Sequence, residues 1–538
     1  MEEKTGKGKQ DFDIVVIGGG ATGCGIALDA ASRGLKTLLL EKDDFASGTS
    51  SKSTKLLHGG VRYLESALKR LDRTQYRLVR TSLIERHRLL RNAPHLSRSI
   101  SLVTPIYRWT QLPYIFAGLT LYDKLAGRRN IKSSRLLSSK ESLELFGALK
   151  PQGLKAGVLY HDGQFNDFRM NITVAKTAEL FGAKTLNYCV AEAFVKEGGR
   201  IRAVVYRNRL TGATETVGCK TVINAAGPFV DEVRKLDDQH SRRLLELSAG
   251  THIALKSGTI DARVGMLIPK TDDGRVLFVL PWEGAHIVGT TDEPVESPDA
   301  PAPRASHVEY LLSHINRYLS KKLDKDDIGS CWSGVRPLIR SADADSTSML
   351  PREHMIEISP SGLVTIAGGK WTTFLRMARD AVDSALKHGN IVSKRDCITD
   401  RIVFFGSHNY SERFVRRFRS SHYLDDDILA HLVSSYGTAA VRILELAARK
   451  SLGDRILPGF PYIAAEVNYA ARYEFVKTPA DFVARRVALA QTDSKAAIRA
   501  VHVVGEILDD TLGWGSKVRR LMIENSLDEI KKQFEGWL

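Results

Sequence analysis

FDIVVIGGGATGCGIALDAASRGLKTLLLEK, residues 12–42, is the stretch that settles the fold. FDIVVI (12–17) is an apolar run of strand length that ends in glycines. ATGCGIALDAASRG (21–34) then has helical character, with small residues on one face and Gly34 at its close. KTLLLEK (36–42) is a second buried strand, ending at Glu41 and Lys42. Strand, glycine turn, helix and strand in that order form a βαβ unit, the context in which a dinucleotide fingerprint has meaning. Gly18, Gly20 and Gly23 supply its G-x-G-x-x-G spacing, with Gly19 between. The first permits the tight turn, the second lets backbone approach a pyrophosphate, and the third lets helix pack on strand. Free N–H groups at Ala21 and Thr22, at the positive end of the helix dipole, would then receive the phosphates. Glu41, 21 residues after Gly20, is placed to accept ribose hydroxyls. The bland alternative is a glycine-rich turn of a non-binding fold, which would not need the acidic residue at that spacing.

Working outward, 538 residues allow two or three domains with a large core. A composition of 43% hydrophobic and 26% charged residues excludes disordered and fibrous classes. The net charge of +16 favours anionic partners: a phosphorylated substrate, an acidic membrane surface or nucleic acid. Five scattered cysteines (24, 189, 219, 331, 397), without metal-binding spacing, read as reduced thiols, and no metal site is expected. The start, MEEKTGKGKQ, lacks the apolar core of a secretory signal. It is also a poor organellar presequence, being arginine-free with two early glutamates. YIFAGLTLY (114–122) falls far short of the roughly 20 residues that span a bilayer, so no crossing is expected.

Residues 76–91 have helical spacing with many basic positions. RIRAVVYRN and KTVINAAGP suggest strands between 200 and 228. THIAL, VLFVLPW and HIVGTTD, between 251 and 292, suggest an antiparallel sheet, and from Tyr410 onward the pattern is helical. The expected class is mixed α/β (α+β). A discontinuous nucleotide domain takes 11–80, 151–247 and 331–395; a second domain takes 81–150 and 248–330; a helical domain takes 400–538. Two further glycine elements, VINAAGP (222–228, with Ala226 and Gly227) and TIAGGKWTT (365–373, with Gly369, Trp371 and Thr372), lie far from the first. Glycine elements spread so widely suit a long dinucleotide, which favours FAD over NAD.

Longer motifs then carry a family resemblance. IGGGATGCGIALDAASRG (17–34), GTSSKSTKLLHGGVRYLE (48–65), APHL (93–96), YHDGQFNDFRMN (160–171), GTTDEP (289–294), SGVRPL (333–338) and AGGKWTT (367–373) resemble the FAD-dependent glycerol-3-phosphate dehydrogenases. LPYIFAGLTLYDKLAG and the C-terminal FPYIAAEVNYAARYEF and DFVARRVALA make the likeness strongest to the mitochondrial-type branch. The resemblance spans about residues 11–530. It implies oxidation of sn-glycerol 3-phosphate to dihydroxyacetone phosphate, hydride passing from C2 to flavin N5, and electrons leaving to a membrane quinone.

The resemblance also implies roles. Thr49, Ser50, Ser51, Lys55 and Leu57 would wrap the flavin phosphate and ring, with His58, Gly59 and Gly334 also against the cofactor. Arg62, Tyr63, Thr290, Arg352 and Lys370 would bind substrate, because guanidinium forks and an ammonium neutralise a phosphate. His252 is the expected base, a group of pKa near working pH, with His58 the second choice, and Arg336, also a candidate for the phosphate, is the second catalytic residue. Arg336 is an alternative source of electrostatic activation for the hydroxyl. Two departures stand out. Phe374 and Leu375 follow GGKWTT where the family has Tyr-Arg, and DGQFNDFR carries Phe165 and Phe168 for a polar and a small residue. They are expected to lower turnover or alter the substrate, and Arg376 compensates at most in part because it points about 100° further round a helix. Residues 105–129 join aromatic and basic side chains, which implies shallow, peripheral attachment to an anionic membrane surface. The implied location is the mitochondrial inner membrane; the cytoplasmic face of a bacterial inner membrane and a peroxisome-like organelle are alternatives. A homodimer is compatible with the sequence. Rival functions are an oxygen-using glycerol-3-phosphate oxidase and a catalytically altered, regulatory flavin binder. SERFVRRFR (411–419) is the one tempting piece for RNA, and it reads better as a solvated helix face, so no nucleic acid partner is expected.

Overall fold

The computed structural model describes residues 11–60, 73–299, 301–340, 353–420, 423–449 and 452–538. The opening βαβ unit forms as expected, with strands Phe12–Ile17 and Thr37–Leu40 around the helix Ala21–Ser32. The first strand is the middle of a sheet ordered 354–358, 363–368, 214–224, 12–17, 37–40, 184–186, with the hairpin 189–197/200–208 joined through 214–224. Its inner pairs are parallel. Parallel strands need covered faces. The helix Ala21–Ser32 is buried at every position but Thr22, and it packs against Asp167–Leu180 and Phe374–Gly389.

A second, ten-stranded sheet contains the segments expected between 251 and 292, paired antiparallel. Two strands expected in the nucleotide domain also pair into it. Ala156–Phe165 lies against Ser97–Ile106, and Ile328–Ile339 lies against Leu245–Leu255. The reason is physical: Ala156–Phe165 is buried at all ten positions. A strand covered on both faces has no polar alternation to say which sheet it joins.

From Glu412 to Phe534 the elements among the described residues are all helices. The basic helix Glu412–Arg419 turns Phe418 inward and carries its arginines outward, as a solvated face does. The helical region is no detached module. Its Val483, Val487 and Leu489 share a core with Phe168, Trp282 and Trp332 of the body. Buried charge pairs bind the same seam: Arg169 grips Glu474 through two hydrogen bonds of 2.5 and 2.8 Å, and Asp44 accepts from both Arg485 and Arg486.

Candidate active site

A cavity of about 800 Å³ opens at the carboxyl end of the parallel strands, within the ~300–1,000 Å³ usual for ligand pockets. Of the residues expected at a cofactor, Gly18, Gly20, Ala21, Thr22, Glu41, Lys42, Thr49, Ser50, Ala226, Gly227, Gly369, Lys370 and Trp371 line it. Three glycine elements distant in sequence therefore meet in one space.

The turn at its centre tolerates no side chain. Gly18 has φ +108°, and a Cβ there would stand 2.6 Å from the Ala225 carbonyl oxygen. A Cβ on Gly23 would fall 1.7 Å from the Gly18 oxygen, so helix and strand meet at backbone distance. The Ala21 N–H at the helix start donates to Ser50 Oγ at 2.9 Å, which brings the serine loop beside the expected phosphate position. Glu41 accepts from the Gly19 and Asp43 amides at 2.6 and 2.9 Å. Burial lifts its carboxyl to about 7, against those hydrogen bonds, which lower it. Lys42 lies over the Phe229 ring, 3.2 Å from its centroid.

Gly19 and Gly23 hold the turn from behind the cavity wall. Ser51 gives its carbonyl to Lys55 and Gln491, and Thr372 is buried. Three residues expected at the cofactor have other partners. The Lys55 ammonium is sealed in the interior, 2.5 Å from Asp167 and 2.6 Å from the Ser51 carbonyl. Leu57 is a core residue. Gly334 makes room for Lys52, whose Cβ lies 2.8 Å from where a Gly334 Cβ would be.

Beyond Lys370 the character changes. The Lys370 ammonium donates to the Gly59 carbonyl at 3.5 Å, and His58 stands edge-on to Phe278. The antiparallel register places Ser248 opposite Arg336, Gly250 opposite Gly334 and His252 opposite Trp332. The polar groups therefore share one face of the second sheet. Arg336 donates to Asp292 at 2.9 Å, Thr290 Oγ1 at 3.1 Å and the Thr291 carbonyl at 3.2 Å. Its guanidinium fills the gap over Gly250, where a Cβ would lie 2.2 Å away. His252 is 2% exposed and stacked on Trp332, its Nε2 3.0 Å from Thr54 Oγ1, with Nδ1 unpartnered among the described residues. Burial, then the Arg336 and Lys55 charges, holds its pKa well below the usual imidazole range. Arg62, Tyr63 and Arg352 lie outside the described residues.

The family departures have a packing explanation. Phe165 and Phe374 flank the Trp371 ring edge to face at 5.2 and 5.0 Å, while Trp371 Nε1 donates to the Ser50 carbonyl. Phe168 packs on Trp282, and Leu375 is core. Arg376 pairs with Asp380 at 2.8 Å on a half-exposed helix face.

Several contributors escaped sequence reasoning. Asn171 donates to the Gly19 carbonyl at 2.9 Å; it sits inside YHDGQFNDFRMN, where a signal was available. Lys52, Tyr188, Phe229 and, from the helical region, Arg485 also line the cavity. Burial pulls the Lys52 ammonium down to about 8, with the Arg485 charge adding to it. Lys52 and Arg485 sit inside the long motifs at 48–65 and 481–490 without standing out there, and Tyr188 and Phe229 lie in none.

The chain is similar to known proteins along most of its length. A family model described as FAD dependent oxidoreductase matches residues 13–378, and one for the C-terminal domain of alpha-glycerophosphate oxidase matches 397–519. The chain is 42% identical over 527 residues to the mitochondrial glycerol-3-phosphate dehydrogenase of Mus musculus, covering 96% of this chain and 72% of that protein. It is 41% identical over 540 residues to the mitochondrial glycerol-3-phosphate dehydrogenase SDP6 of Arabidopsis thaliana, covering 97% and 86%. Among solved structures, the glycerol-3-phosphate dehydrogenase of Bacillus halodurans complexed with FAD superposes with a TM-score of 0.79 at 30% identity, over 98% of this chain and 95% of that one.

Proposed function

The chain belongs to the FAD-dependent glycerol-3-phosphate dehydrogenases, and from that premise we propose how its own residues divide the work. It oxidises sn-glycerol 3-phosphate to dihydroxyacetone phosphate. The observation that carries the reading is the meeting of the Ala21 helix start, Glu41 and the Gly369–Trp371 turn in one cavity. That cavity fits FAD: a helix N-terminus with the Ser50 hydroxyl beside it for the pyrophosphate, a carboxyl for the ribose and glycine turns for close approach. Gly18, Gly20, Ala21, Thr22, Thr49, Ser50, Glu41, Lys42, Ala226, Gly227, Gly369 and Trp371 would hold it. Bound FAD supplies the acceptor for the hydride that leaves C2.

The protein must then hold the phosphate and take the hydroxyl proton. Lys370 and Arg336 supply positive charge on the side away from the nucleotide, and Thr290 orients the Arg336 fork. Arg62, Tyr63 and Arg352 are proposed as further substrate ligands. His252 takes the C2 hydroxyl proton as the C2–H pair departs, leaving the carbonyl of the product. Burial keeps its imidazole neutral but also makes it a weaker acceptor than the group of pKa near working pH that the sequence reading expected. Substrate phosphate near Arg336 would offset part of that cation's charge, while burial, the larger cause, remains.

The electrons pass to a membrane quinone. Trp109 and Tyr114, 60% and 55% exposed beside Arg108, Lys124, Arg128 and Arg129, support peripheral attachment. No helix among the described residues is long and apolar enough to cross a membrane. The mitochondrial relatives support a mitochondrial location, and its inner membrane is the proposed surface.

The test is anaerobic mixing of the FAD-loaded protein with sn-glycerol 3-phosphate while flavin absorbance is followed. Rapid bleaching, absent with glycerol, is expected. Full flavin occupancy without bleaching would overturn the assignment of the site.

A further inference from the structure

We propose that Tyr122 is a positioning residue that fixes the Gly59 peptide beside the reacting end of the cofactor, held in its task by Asp162 and Arg86. The inference rests on the reading of Gly59 as a flavin neighbour. The Gly59 N–H donates to Tyr122 Oη at 2.6 Å, the Tyr122 hydroxyl donates to Asp162 Oδ2 at 2.9 Å, and Arg86 Nη1 donates to Asp162 Oδ1 at 2.8 Å. The four groups come from the turn after Leu57, the helix Leu112–Ala126, the strand Ala156–Phe165 and the helix Arg73–Asn92. Tyr122, Arg86 and Asp162 are all buried.

Direction is what the chain provides. A phenol can donate or accept. A carboxylate on its far side obliges the hydroxyl hydrogen to face Asp162, which leaves a lone pair for the Gly59 amide. Hydrogen bonds to charged groups are the stronger kind, and a buried chain polarises each member. Burial and the neighbouring Asp162 push the Tyr122 pKa well above the usual phenol range, so the hydroxyl keeps its proton. On the opposite side, the Gly59 carbonyl accepts from Lys370, which lines the cofactor cavity. The turn is thus held through its N–H from the interior and through its C=O from the site. A Cβ on Gly59 would lie 2.8 Å from the Tyr122 ring and 2.9 Å from Leu83, so the turn packs on the phenol at a distance that only glycine allows.

The experiment compares FAD-loaded wild type and Tyr122→Phe by amide hydrogen exchange at Gly59, visible circular dichroism of the flavin and anaerobic reduction by sn-glycerol 3-phosphate. In wild type, Gly59 should be more protected with FAD than without it. If its protection is the same in both, the placement of Gly59 at the flavin fails and the proposal fails with it. Tyr122→Phe should retain FAD, lose Gly59 protection, change the flavin dichroism and lower the limiting reduction rate by roughly 10- to 100-fold, as small misplacements at a reacting centre do. Substrate affinity should stay within about threefold, because phosphate ligands are untouched. Wild-type dichroism and limiting rate in a variant that has lost only thermal stability would overturn the proposal. Should Tyr122→Phe not fold, Asp162→Asn, which keeps the phenol but removes the charged acceptor, gives the same readouts and the same two outcomes.

Discussion

His252 and Glu41 show how single side chains take their chemistry from their surroundings. His252 is buried between Trp332 and Thr54 with two cations nearby. His252→Asn is expected to keep FAD and lower the limiting rate of flavin reduction by about 10²–10⁴, the usual worth of a positioned base; stopped-flow absorbance measures it. The Glu41 pKa moves in the opposite direction from that of an ion-paired carboxyl. It is 4.5 when free and about 7 in the fold. The folded state therefore retains a proton that the unfolded chain has lost, and this contribution to stability, full below about pH 4.5, is lost as pH rises through 7. The difference corresponds to roughly 3 kcal/mol. In apoprotein, Glu41→Gln should gain stability relative to wild type across that window, while its FAD affinity falls. Thermal unfolding at several pH values reads the first effect, and a pH-independent difference would contradict it.

At the scale of elements, the glycine-rich helix Ala21–Ser32 packs against the helix Phe374–Gly389, which begins just after the third glycine turn. The Phe374 ring sits over Gly25, where an added Cβ would approach it to 2.8 Å. Gly25→Ala should therefore cost about 1–3 kcal/mol by overpacking, and Phe374→Leu in the same chain should recover part of that; denaturant midpoints test both. The family's departure at Phe374 is thus a packing unit of Phe165, Trp371 and Phe374. The junction with the helical region depends on charge. Asp44 is the shared acceptor of Arg485 and Arg486, all three fully buried, and the two cations hold its pKa below the usual range against the opposing effect of burial. Asp44→Ala leaves two guanidinium groups without that partner, so a loss of about 3–5 kcal/mol is expected, measured by chemical denaturation.

At the scale of the molecule, the exposed aromatic and basic groups between Arg108 and Arg129 lie on and around the helix that carries Tyr122, which reaches inward to Gly59. The surface proposed to meet lipid and the turn proposed to meet the flavin are therefore joined by one short element. Co-sedimentation with vesicles containing anionic lipid should be strong at low salt and weaken as salt screens the basic groups. Trp109→Ala with Tyr114→Ala should weaken it tenfold or more, in line with the loss of two large apolar contacts. Unchanged binding by that double variant would point to another surface.

The sequence by itself determined the nucleotide half. The G-x-G-x-x-G turn, the helix after it and Glu41 lie within 31 residues, and local geometry dictates their roles because backbone approach and helix polarity are properties of a short segment. The long motifs determined the family and the reaction. Only the tertiary structure decided which strands joined which sheet, because Ala156–Phe165 and Ile328–Ile339 carry too little polar alternation to choose. It also decided that Lys55 closes a buried pair with Asp167, that Gly334 yields its space to Lys52, and that Arg485 reaches the cavity from a distant helix. These outcomes depend on which side chains meet across hundreds of residues, and a charge or a missing Cβ has no partner until the chain has folded around it.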